Sequence, residues 1–97
     1  MYYKELEVWK EARRLVKEVY KLTSEFPKSE LFGLTSQINR SVISIPSNIA
    51  EGCARYSDKD TNKFIDIALG SVAELDTQLI IAQDLGFAVY DKNLISL

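Results

Sequence analysis

Residues 58–86, DKDTNKFIDIALGSVAELDTQLIIAQDLG, decide the fold class. Phe64, Ala68, Val72, Leu75, Leu79 and Ala82 recur every three or four residues, the period of one helix face. Ser57 followed by Asp58 and Asp60 suits a helix start: a side-chain oxygen can accept a free N–H there, and acids favour the positive end of the helix dipole. The spacing predicts a helix to Leu85, with Gly86 as its C-terminal cap. Leu69, Ala73 and Ile80 fall nearly opposite the main stripe, and Ile67 and Ile81 on a third side. A helix apolar on several faces is buried on several faces. In so small a chain a second copy is expected to cover what the chain's own core leaves bare.

Upstream, Leu6 to Glu25 places Val8, Trp9, Ala12, Leu15, Val16, Val19, Tyr20 and Leu22 at helical spacing. Its polar surface is sorted by sign. Lys10, Arg13, Arg14, Lys17 and Lys21 share one arc, with Glu7, Glu11, Glu18 and Glu25 in a strip beside them. Phe26-Pro27 ends this helix, since the residue before proline is pushed out of the α region. A second helix is expected from Ser29 to Ala54 on the stripe Leu31, Leu34, Ile38, Val42, Ile45 and Ile49, kinked at Pro46 and relaxed near Gly52. Cys53 to Tyr56 read as a connection. Gly70 predicts a close helix approach. Asp91, placed as an N-cap before Asn93, Leu94 and Ile95, reads as the start of a fourth helix that is cut short.

Four glycines and two prolines among 97 residues are too few for the frequent turns of a β-sandwich. The expected architecture is therefore all-α: one domain over residues 1–97, an antiparallel up-down bundle of four-helix type with a truncated fourth helix, and oligomeric. The start MYYKELEVWK is charged where a secretory signal is apolar, and no stretch approaches the roughly 20 apolar residues of a membrane span, so a cytoplasmic, membrane-free protein is expected. Cys53 is the only cysteine and histidine is absent, which removes intrachain disulfides, cysteine-based metal sites and the commonest acid–base and nucleophile pairs. No cofactor, metal or catalytic residue is expected. A net charge of −2 supplies no global field toward nucleic acid, so such binding needs a local patch.

Two segments carry a resemblance. LEVWKEARRLVKEVYKLTSEFPKSELFGLTSQINRSVISIPSNIAEG and FIDIALGSVAELDTQLIIAQDLGF resemble the bacterial four-helix-bundle proteins encoded in intervening sequences of 23S ribosomal RNA genes. SIPSNIAEG, Ser44 to Gly52, and ALGSVAELDTQL, Ala68 to Leu79, are the most specific pieces. The resemblance implies a ring of identical chains, a homopentamer, with no enzymatic activity. The chain is also similar to the accessory variability determinant of diversity-generating retroelements, which implies a reverse-transcriptase partner and RNA or DNA binding through a basic surface.

Three groups of residues are candidate sites. The strip Lys10, Arg13, Arg14, Lys17 and Lys21 could neutralise several backbone phosphates at once; the plainer reading is a solvated face with pairs such as Arg14 to Glu18. Trp9 and Tyr20 lie at the edge of the apolar arc, apart from that strip. They join Leu69, Ala73 and Ile80 as oligomer-interface candidates. Arg40, Asn48, Glu51, Arg55, Glu74 and Gln78, with Ser44, form a candidate polar network: Arg55 and Arg40 are placed to compensate Glu51, and Glu74 and Gln78 stand one turn apart. A hydrolase built on Glu51 and Glu74 is the weakest of the functional alternatives, because nothing marks a substrate cleft.

Overall fold

A computed structural model describes residues 2–96. Among them are three α-helices and no strand: α1 (Glu7–Thr23), α2 (Leu34–Cys53) and α3 (Asp58–Asp84), with single 3-10 turns at Tyr3–Glu5, Lys28–Glu30 and Lys92–Leu94. Each helix buries most of the stripe read from its spacing, though Val8 and Tyr20 at the edges of the α1 stripe stay exposed. Ala12, Leu15 and Val19 from α1 meet Ile38, Val42, Ile45 and Ile49 from α2, and Ala68, Leu75, Leu79 and Ala82 from α3. The central helix α2 packs along both others, whereas α1 and α3 share no extensive contact. None of the helices is long and apolar enough to cross a membrane.

The ends of α3 follow local chemistry. Ser57 accepts the Asp60 N–H at 3.2 Å, as an N-cap does. At the other end Gly86 takes φ 78°, Phe87 N–H donates to the Ala82 carbonyl at 2.9 Å, and Gly86 N–H to that of Gln83 at 2.9 Å. This pair of bonds around a left-handed residue is the Schellman closure.

Three expectations change. The second helix begins at Leu34, not Ser29, because Gly33 at φ −111°, ψ −114° lies outside helical space; Glu30 then turns back so that its carboxylate accepts the Leu34 N–H at 3.3 Å. Leu31 is therefore outside the helix and exposed. α2 runs as one helix through Pro46. Gly52 is no relaxation point: it is buried where α2 meets α3, and a Cβ there would stand 3.2 Å from the Thr61 carbonyl oxygen and 3.3 Å from Phe64 Cβ. Gly70, read as a close approach, faces open space.

The expected fourth helix is a single turn. Asp91 does cap it, accepting the Asn93 N–H at 2.9 Å, but Ile95 returns to extended backbone. Residues 87–96 instead form a strap between α3 and α1. Tyr90 is buried, its hydroxyl donating to Asp76 Oδ1 at 2.7 Å and its N–H to Gln83 Oε1 at 2.8 Å. Asn93 and Leu94 lie beside Leu15 and Glu18 of α1.

Candidate functional site

Polar residues on the facing sides of α2 and α3 make a seam in two parts. In the first, Ser41 Oγ lies 2.5 Å from Glu74 Oε1 and 2.9 Å from Gln78 Oε1, and Gln78 Nε2 donates to Glu74 Oε1 at 3.3 Å. In the second, the Ser71 hydroxyl donates to Ser44 Oγ at 2.8 Å, and Asn48 Nδ2 donates to the same oxygen at 2.9 Å. Ser41 and Gln78 are buried, so these bonds meet the requirement that buried polar groups find partners. A cleft of about 390 Å³ opens on the seam, lined by Gln37, Arg40, Ser41, Ser44, Ser71 and Glu74.

The candidate network thus divides. Glu74 and Gln78 come together as expected, but through Ser41, and Asn48 and Ser44 join Ser71 and not the acid. Glu51 is compensated by Arg55 at 2.7 Å; that guanidinium also lies 4.6 Å from the Phe64 ring centroid. Arg40 does not share in this: among the described residues it is in no ion pair, and it lines the cleft instead. Ser41 and Ser71 were missed. Their signal is spacing, since 41, 44, 48 on α2 and 71, 74, 78 on α3 repeat the same interval of three then four.

On α1 the five cations stay on one exposed arc, partly neutralised by their own helix. Lys10 pairs with Glu7 at 3.4 Å, Lys21 with Glu18 at 3.6 Å, and Arg14 with Glu11, where Glu18 was expected. Arg13 sits 5.7 Å from the centroid of Trp9, and Tyr3 packs edge-on against that ring at 5.3 Å, so the aromatic edge and the basic arc meet after all. Lys17 is in no ion pair among the described residues. Trp9 is half-buried and Tyr20 exposed.

The third feature is apolar. Leu69, Ala73 and Ile80 are exposed on one flank of α3, and Ile67, Ile81 and Leu85 on another. Among the described residues no group of three or more acidic or cysteine side chains is placed to hold a metal ion.

The model of one protein family, the 23S rRNA-intervening sequence protein, matches residues 4–94. The chain belongs to this family. The match takes in all three helices, the seam and the capped turn of the strap. No curated protein matches the chain.

Proposed function

We propose that the chain is a non-enzymatic scaffold that assembles with copies of itself through the apolar flanks of α3. One observation carries this reading: Leu69 is 63% and Leu85 57% exposed, with Ile67, Ile80 and Ile81 also open, on a helix whose remaining stripe is already buried. Large apolar side chains left open on more than one side of a helix are the kind of surface that a partner covers. The absence of histidine and the use of the seam's hydroxyls and amides on one another support a role without catalysis. The family resemblance makes five the copy number to test. Sedimentation over a concentration series should give a mass above the monomer, and Leu69→Asp with Ile80→Asp should return it to one chain without loss of helical signal. A wild-type monomer at every concentration refutes the proposal.

A second reading, contact with RNA or DNA through α1, draws on Arg13 and Lys17, two cations without a carboxylate partner among the described residues. Binding would fall steeply with salt, and further on Lys→Glu changes at Lys10, Lys17 and Lys21. No retention of RNA at low salt ends it.

A further inference from the structure

One buried hydroxyl has no partner. Thr35, in the first turn of α2, is 8% exposed, and its Oγ1 meets no hydrogen-bonding atom among the described residues. A threonine hydroxyl carries one donor proton and two acceptor lone pairs, and a buried group of that kind ordinarily finds a partner. Thr35 lines a pocket of about 280 Å³ between the end of α1 and the start of α2. A cavity of about 150 Å³ is enough to hold benzene, so this one has room for a ring and a polar head.

The lining is of two kinds. Tyr20, Phe26 and Leu31 give apolar surface, while Lys28, Asn39 and Thr35 bring hydrogen-bond donors. Asn39 Oδ1 accepts from Thr23 Oγ1 at 3.0 Å, which leaves the amide nitrogen as its free end. Lys28 is exposed and in no ion pair among the described residues. Among the described residues no aspartate or glutamate lines the pocket, since the Glu30 carboxylate is taken up by the Leu34 N–H outside it. The start of α2 adds to the bias: Gly33 as N-cap offers no side chain, and the first turn holds no acid, so the positive end of the helix dipole favours an anion there. Three donors, one of them a cation, with no carboxylate among them, select a negatively charged acceptor. The apolar walls select the body that carries it, and apolar walls with a few convergent polar groups are how small-ligand sites are built.

We propose that this pocket binds a small carboxylic acid with an apolar body, the carboxylate accepting from the Thr35 hydroxyl, the Asn39 amide and the Lys28 ammonium. No residue of α3 lines the pocket, so the site does not depend on the self-association proposed above.

Benzoate is the probe, titrated into the whole isotope-labelled chain and followed by NMR. The signals of Thr35, Asn39 and their neighbours should shift and saturate at millimolar benzoate. Benzamide, its uncharged analogue, should bind at least about tenfold more weakly, because hydrogen bonds to an ionised acceptor are roughly twice as strong as neutral ones. Thr35→Val keeps the shape and removes the hydroxyl. It should weaken benzoate about tenfold yet leave the ligand-free melting temperature unchanged or higher, since no protein hydrogen bond is lost. Lys28→Gln alters an exposed position only and should weaken benzoate as well, which keeps the test open if Thr35→Val does not fold; Arg40→Gln, in the cleft between α2 and α3, should leave binding as it is. A titration that shifts nothing around Thr35, or benzamide that binds as well as benzoate, overturns the inference. So does benzoate binding that survives both Thr35→Val and Lys28→Gln unchanged. A Thr35→Val chain that melts at a lower temperature, in a protein whose wild type ignores benzoate, would show that the hydroxyl serves a resident water instead.

Discussion

Two glycines in helices, given the same substitution, should move stability in opposite directions. Replacing glycine by alanine inside a helix gains about 0.8–1.0 kcal/mol, because the unfolded chain loses freedom it would otherwise have to surrender. At Gly70 nothing stands within 4 Å of the new Cβ, so that gain is uncompensated. At Gly52 the Cβ meets the Thr61 carbonyl oxygen at 3.2 Å, Phe64 Cβ at 3.3 Å and Ile65 Cδ1 at 3.6 Å. The first two atoms belong to α3 or sit directly on its backbone, so neither can swing aside as a long side chain could. The helices must part, which costs about 1–3 kcal/mol for an overpacked contact. It also strains the bond from Thr61 Oγ1 to the Gly52 carbonyl, 2.8 Å long and worth about 0.5–1.5 kcal/mol. Gly52→Ala should therefore lose about 1–2 kcal/mol net, while Gly70→Ala gains about 1. In a domain of this size each kcal/mol moves the melting temperature by about 4–8 °C. Thermal and urea denaturation at one low protein concentration would read both. A Gly52→Ala chain as stable as the wild type would show that the α2–α3 contact is looser than these distances require, and the reasoning would fail.

The strap offers a pH prediction. Burial, then the hydrogen bond to the Asp76 carboxylate and its charge, hold the Tyr90 hydroxyl well above the ordinary phenol range. Folding binds that proton more tightly than the unfolded chain does, so the stabilisation is whole below about pH 10 and drains away as pH rises beyond it. Tyr90→Phe should flatten the alkaline arm of a stability–pH profile, and an unchanged arm would refute the clasp. At the start of α3, Ser57→Ala should cost about 1 kcal/mol by leaving the Asp60 N–H without its cap; a melt that does not shift would mean the first turn is not held by Ser57.

Periodicity exposed the three helices because each has one dominant buried face, and those faces supply the core apart from Phe26 and Tyr90, which join it from outside the helices. It failed at the start of α2, where Leu31 fits the stripe by spacing and is nonetheless exposed. A single backbone conformation at Gly33 outweighs one more apolar residue at the right interval, since no side chain can extend a helix through non-helical dihedrals. The tail shows the converse. Asp91 supplies a cap as its residue type promises, yet a cap starts a helix only if the next residues gain from continuing, and here Tyr90, Leu94 and Ile95 gain more by lying on the core.

The seam marks the boundary of what one strand of letters can tell. That Ser44, Asn48, Glu74 and Gln78 would be partnered followed from polar residues on faces turned inward. Which partner each takes depends on how far α2 slides along α3, a quantity neither helix encodes alone. Gly52 helps to set it. With no side chain there, α2 settles directly on Thr61 and Phe64, and the antiparallel register then places Ser44 against Ser71 and Ser41 against Glu74 and Gln78. The same intervals on both helices make this the offset at which each hydroxyl finds an oxygen, so the close contact at one end and the hydrogen bonds in the middle select the same register. Arg40 is left over from that match, facing the cleft with its guanidinium outside any ion pair among the described residues. An unpaired, solvent-facing charge beside a satisfied network adds little to the stability of the single chain.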